Sequence, residues 1–134
     1  MSKLNCLPWY ILLLIVLLCA LVLISTNEGF ESSPTSLFND IKTKNVLVLL
    51  YTKGCVHCKN LKPEWDKASE KEPDKMVAVD CSDSENEEIK ALLKKTNTTS
   101  FPRMMVFKQG VAGDDYEGAR TESAISSFIQ TNLA

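Results

Sequence analysis

The sequence has little of several residue types on which other classes of protein depend. Histidine occurs once, and cysteine occurs five times, an odd number. Two of those cysteines, Cys6 and Cys19, fall in an apolar N-terminal region. This usage argues against a disulfide-rich scaffold. The formal net charge is only −2, so the chain lacks the basic excess typical of nucleic-acid-binding proteins. There are no internal repeats, and 134 residues are enough for one domain.

One long hydrophobic run is present at the N-terminus. Residues 7–24 are almost wholly apolar, and an α-helix of that length would extend roughly 27 Å, close to the thickness of a bilayer core. Trp9 and Tyr10 lie at one end, as interfacial aromatic residues do. The alternative is a cleaved signal peptide, but the run is longer than the usual ~7–15 residues and no small-residue cleavage site follows it. We therefore expect a transmembrane anchor within residues 1–26.

Charge around this run predicts an orientation. Lys3 and the α-amine precede the run, whereas Glu28 and Glu31 follow it. The positive-inside rule then places the N-terminus in the cytoplasm and the folded domain on the lumenal or extracytoplasmic side. Residues 27–35 contain a glycine, two serines and Pro34. This composition is typical of a linker.

Residues 36–134 carry the pattern of one α/β domain. The run Val46–Tyr51 is apolar at almost every position, which suits a central strand covered on both faces. Ser82 and Ser84 each precede a glutamate by three residues, so a capping box is expected to start a helix there. The other patterns predict helices at 36–44, 59–68 and 121–131, and strands at 76–81, 103–107 and 112–117.

The short stretch Cys55-Val56-His57-Cys58 follows the first strand and begins a helix. Side chains three residues apart are neighbours on a helix, so the two thiols can form and reopen a disulfide. The helix N-terminus favours an anion, which lowers the pKa of Cys55 and makes it the candidate nucleophile. A zinc site would need Cys81 and His57 as further ligands. His57 lies between the two cysteines in the sequence, which is a poor geometry for a zinc ligand. An inert structural disulfide is the other alternative.

The order of elements resembles the thioredoxin fold, with a central mixed β-sheet flanked by helices. The local motifs are similar to those of the protein disulfide isomerase type, over about residues 35–134. They are residues 55–65, Val79-Asp80-Cys81, Phe101-Pro102, Phe107-Lys108-x-Gly110 and Tyr116-x-Gly118-x-Arg120.

This resemblance implies a role for each site residue. Cys55 would attack substrate disulfides, and Cys58 would resolve the mixed disulfide. His57 would stabilise the thiolate. Pro102 would follow a cis peptide bond beside the cysteines, and Arg120 would be able to lower the pKa of Cys58. The resemblance implies protein thiols and disulfides as substrates, a redox partner that recharges the pair, and no cofactor or metal.

The sequence also departs from the family pattern. Leu49 stands where the family has a buried acid that moves protons at the second cysteine, Gly54 replaces a tryptophan, and Val56 replaces a glycine. Leu49 and Gly54 favour, as an alternative function, a non-catalytic adaptor or structural membrane component. Small anchored domains of this kind also resemble redox proteins of large DNA viruses. Asn97-Thr98-Thr99 is an acceptor sequence for N-glycosylation.

Overall fold

The computed structural model describes residues 9–25 and 34–134. The chain divides into two units between Glu31 and Ser32. The predicted linker 27–35 lies outside the described residues except for its last two, which belong to a helix.

The first unit contains helix α1, Trp9–Ser25. The helix has 17 residues in the described part of the chain. The prediction of a transmembrane anchor within residues 1–26 is not supported. Within residues 9–25 and 34–134, no helix is both long and apolar enough to cross a membrane.

The second unit alternates helices with strands. Its elements are α2 (Pro34–Thr43), β1 (Asn45–Tyr51), α3 (Val56–Lys71), β2 (Met76–Asp80), α4 (Glu87–Thr96), β3 (Arg103–Lys108), β4 (Val111–Asp115) and α5 (Glu122–Asn132). A short 3-10 turn, Pro73–Lys75, leads into β2.

The four strands form one mixed sheet in the order β2-β1-β3-β4. Strand β1 pairs in parallel with β2 and antiparallel with β3, and β4 is the antiparallel edge strand. The parallel pair needs a crossover connection, which α3 supplies. This arrangement confirms the predicted α/β fold with β1 at its centre.

Successive side chains of β1 point to opposite faces of the sheet, and both faces are covered. Val46, Val48 and Leu50 pack in one hydrophobic core with residues of α2 and α4, including Phe38 and Leu92. Their neighbours in β1 pack in the second core against α3 and α5, together with Leu61, Trp65, Ala68, Ile125 and Ile129. Burial on both faces explains why β1 is apolar at nearly every position.

Helix α4 does not begin at the predicted capping boxes. Asn86 is its N-cap, and the side-chain oxygen of Asn86 accepts hydrogen bonds from the backbone N–H groups of Glu88 and Ile89 at 3.0 and 3.2 Å. The hydroxyl of Ser82 instead accepts a hydrogen bond from the backbone N–H of Lys53, at 2.9 Å. The capping prediction was wrong because a contact between distant parts of the chain engages Ser82.

Candidate active site

Cys55 is the N-cap residue of α3. Its backbone is extended (φ −82°, ψ 119°), and its sulfur accepts a hydrogen bond from the backbone N–H of Cys58 at a nitrogen–sulfur distance of 3.1 Å. A turn after β1 positions it, with the N–H of Cys55 bonded to the carbonyl oxygen of Thr52. The thiol therefore occupies the place where a helix lacks partners for its first N–H groups.

This position lowers the pKa of Cys55. The largest cause is a hydrogen bond from the side chain of Cys58, and the backbone N–H groups of Cys58 and His57 and the charge of Arg120 act in the same direction. Burial opposes them. Because each favourable contact stabilises the thiolate, Cys55 has the properties of a nucleophile.

Cys58 has the opposite character. Its side chain is only 5% exposed, and burial, followed by the hydrogen bond that it makes with Cys55, raises its pKa. Both cysteines are free thiols in this structure. The pair is thus asymmetric: the thiol of Cys55 ionises more readily than an ordinary cysteine, and the thiol of Cys58 ionises less readily.

The loop before β3 also contacts the dithiol. The Phe101–Pro102 peptide bond is cis, as the resemblance implied, and the catalytic role of Pro102 stays a prediction. The thiol of Cys55 donates to the carbonyl oxygen of Phe101, at a sulfur–oxygen distance of 3.6 Å. The structure therefore brings together Cys55, Cys58 and the segment that contains Pro102.

His57 and Arg120 lie at the margin of this site, and both are exposed. What His57 contributes to lowering the pKa of Cys55 comes from its backbone N–H. The charge of Arg120 also acts on Cys55. Their predicted catalytic roles stay predictions.

Neither Asn97 nor Cys81 belongs to the dithiol site. Asn97 is the exposed C-cap of α4 in the left-handed conformation (φ 51°), and its glycosylation stays a prediction. Cys81 follows β2 and is only 7% exposed. Burial, followed by the charge of Asp80, raises the pKa of Cys81 to about 11, as befits an inert buried thiol.

A small cavity adjoins Cys58, and its lining includes a residue that the sequence analysis missed. The cavity measures about 30 Å³, and it is lined by Leu49, Tyr51, Cys58, Lys62, Trp65 and Ala78. Leu49 thus lies in its wall. Lys62 could have been found from its spacing, because it is four residues beyond Cys58 and so shares a helix face with it. In residues 9–25 and 34–134, no three acidic, histidine or cysteine side chains cluster as a metal site.

The thioredoxin family model matches residues 23–131. The chain belongs to the thioredoxin family. Among curated proteins, its thioredoxin domain is similar to a probable protein disulfide-isomerase A4 of Caenorhabditis elegans, 31% identical over 134 residues, which cover 90% of this chain and 21% of that protein. It is also similar to the protein disulfide-isomerase of Saccharomyces cerevisiae, 33% identical over 102 residues, with coverage of 71% and 19%.

Solved structures agree with this assignment. The first two thioredoxin domains of Naumovozyma dairenensis Eps1p match with a TM-score of 0.60 and 26% identity, over 78% of this chain and 40% of that one. The chain spans about a fifth of the length of the two curated relatives. The resemblance therefore concerns one thioredoxin domain of longer proteins.

Proposed function

We propose that the protein is a thiol–disulfide oxidoreductase that exchanges disulfides with protein substrates through Cys55 and Cys58. The observation that carries this proposal is the N-cap position of Cys55, with its sulfur 3.1 Å from the backbone nitrogen of Cys58. The similarity to protein disulfide isomerases supports it.

The first step is attack by the Cys55 thiolate on a substrate disulfide. A bond forms between the Cys55 sulfur and one substrate sulfur, and the other substrate sulfur leaves as a thiolate that takes a proton from water. Cys55 is half-buried, whereas the neighbouring Val56 is 66% exposed, so a protein chain can approach from the Val56 side. The lowered pKa of Cys55 increases the fraction of the reactive species.

The second step forms the disulfide between Cys55 and Cys58. Cys58 loses its proton and attacks the Cys55 sulfur, and the remaining substrate thiol leaves as the Cys55–Cys58 disulfide forms. The reverse sequence transfers a disulfide to a dithiol substrate. Because a stabilised Cys55 thiolate is a good leaving group, the site favours this oxidising direction.

Insulin reduction and reoxidation of a reduced test protein would measure both directions with the full chain. We expect Cys55→Ser to abolish both activities, because no other described thiol has a lowered pKa. Cys81→Ala is the matched control and should keep both activities, since Cys81 is a buried thiol. A wild-type protein that fails to exchange even with glutathione would contradict the proposal.

A non-catalytic adaptor is the second candidate function. The observation that favours it is Leu49, which is 4% exposed and places an apolar side chain beside Cys58, where the related enzymes are expected to have an acid. If the biological role survived in a variant carrying both Cys55→Ser and Cys58→Ser, the adaptor function would replace the enzymatic one.

A further inference from the structure

The second step of the proposed reaction poses a problem at Cys58. The thiol must ionise before it can attack, yet Cys58 is buried and its pKa is raised. A buried thiolate needs a nearby positive charge or hydrogen-bond donor. A hydrogen bond with the backbone of Thr52 favours the Cys58 thiolate. The titratable side chains that act on Cys58 or line the cavity beside it are Cys55, Cys81, Tyr51 and Lys62. Only Lys62 among these four carries a positive charge.

The cavity beside Cys58 links this thiol to Lys62. Its volume of about 30 Å³ exceeds the ~10–15 Å³ that one water molecule needs. Apart from Tyr51, the remaining walls are the apolar side chains of Leu49, Trp65 and Ala78. Charges interact more strongly across such a wall than across bulk water. An ammonium group turned from solvent into this cavity would therefore act on the Cys58 sulfur with less screening than in bulk water.

Lys62 also has a second partner. Its ammonium lies 2.9 Å from both carboxylate oxygens of Asp66, one turn further along α3. The two side chains are 62% and 50% exposed, and ion pairs this exposed to water contribute little to stability. The Lys62 ammonium can therefore leave Asp66 and pair with a newly formed thiolate at little cost in free energy.

We propose that Lys62 is the positioning residue for the resolving step: its ammonium leaves Asp66 and stabilises the Cys58 thiolate across the cavity. The Cys58 proton passes to water and then to solvent. The Cys58 sulfur bonds to the Cys55 sulfur as the substrate thiolate departs and takes a proton from solvent. Asp66 competes with Cys58 for the ammonium and restrains the step. This inference rests on the proposed exchange reaction.

The test separates the two steps in the full chain. The reduced protein is mixed with excess oxidised glutathione and quenched in acid at intervals, over about pH 5 to 9. Formation of the mixed disulfide reports attack by Cys55, and its conversion to the intramolecular disulfide reports resolution by Cys58.

Lys62→Met should slow resolution roughly threefold to tenfold and move its pH profile to higher pH, with attack unchanged. Lys62→Arg should retain the wild-type profile. Asp66→Asn should accelerate resolution and move the profile to lower pH, which a purely structural role would not produce. Lys67→Met is the matched control, because Lys67 is 64% exposed on the same helix and pairs with Glu64, away from the cavity.

Two results would overturn the inference while leaving the proposed function intact: wild-type resolution in Lys62→Met, or equal slowing in Lys67→Met. If the wild-type protein forms no mixed disulfide at all, the proposed function itself fails and this inference fails with it.

Discussion

At the scale of single residues, the two cysteines differ because they occupy different places relative to one helix end. Cys55 precedes α3 and accepts hydrogen bonds, whereas Cys58 lies in its first turn and is buried. The contact between their side chains lowers the pKa of Cys55 and raises that of Cys58. This contact, together with the burial of Cys58, separates a nucleophile from a resolving thiol.

This asymmetry predicts different effects from two substitutions of Cys58. In Cys58→Ser the hydroxyl still donates to the Cys55 thiolate, and the pKa of Cys55 should stay low. In Cys58→Ala the largest cause of the lowering is lost, and the pKa of Cys55 should rise towards its ordinary value. The pH dependence of Cys55 alkylation by iodoacetamide measures both.

Other thiols do not obscure this measurement at moderate pH. Cys81, with a pKa of about 11, stays protonated, and mass spectrometry of peptides identifies the alkylated residue. Equal pKa values of Cys55 in the serine and alanine variants would contradict the prediction. They would assign the lowering to the backbone N–H groups and the charge of Arg120.

At the scale of elements, the sequence predicted the order of helices and strands in residues 34–134 because periodicity reports burial. The apolar run of β1 and the spaced apolar residues of α3 follow directly from the two cores that they fill. The cis bond before Pro102 and the resolving role of Cys58 came from the resemblance, since periodicity carries no information about them. The role of Cys55 as the nucleophile also followed from its place at the start of a helix.

The start of α4 could not be predicted from local pattern. The carboxylate of Asp80 accepts a hydrogen bond from the N–H of Ser82, and that of Asp83 accepts one from Glu85. These turns, and the bond from Lys53 to Ser82, hold residues 82–85 outside the helix. The start of α5 was likewise set by tertiary structure: Thr121 makes no side-chain cap, and Glu64 of α3 accepts from the N–H of Glu122 instead.

The corrected cap of α4 predicts which substitution destabilises the domain. Asn86→Ala leaves the N–H groups of Glu88 and Ile89 without their side-chain partner, and it should lower the free energy of unfolding by about 1 kcal/mol. Asn86→Asp should retain the cap and the stability. Chemical denaturation of the purified variants measures these differences.

Ser84→Ala is the control for this prediction. The exposed Ser84 is bonded only weakly, to Glu85 at 3.5 Å, and its loss should change stability by less than about 0.5 kcal/mol. Loss of stability in Ser84→Ala rather than in Asn86→Ala would contradict this prediction and support the capping box predicted from the sequence.

At the scale of the whole molecule, the state of the dithiol is linked to the stability of the fold. The folded reduced protein stabilises the Cys55 thiolate through N–H groups that an unfolded chain does not align. The oxidised protein has no thiolate to stabilise. Forming the disulfide between Cys55 and Cys58 also changes the entropy of the unfolded chain, but this change is the same at every pH. The pH dependence therefore isolates the contribution of the thiolate.

The sign of this dependence follows from the lowered pKa of Cys55. Its stabilising contribution is complete above the pKa of the unfolded chain and is lost as pH falls through the folded pKa. Cys58 has a raised pKa, so its contribution is retained below the unfolded pKa and is lost as pH rises through its higher folded pKa. Between the lowered folded pKa of Cys55 and the pKa of an unfolded cysteine, the stability of the reduced protein relative to the oxidised one should therefore increase with pH.

Denaturation of both redox forms from about pH 5 to pH 8.5 measures this increase. The buried Trp65, only 3% exposed, reports unfolding by fluorescence. Groups such as Glu64 and Glu122 titrate in both forms, so their effects cancel in the difference. In Cys55→Ala the two redox conditions should give the same stability at every pH. A difference that stays constant or falls with pH in the wild type would show that the fold does not favour the Cys55 thiolate, and it would remove the physical basis for an oxidising dithiol.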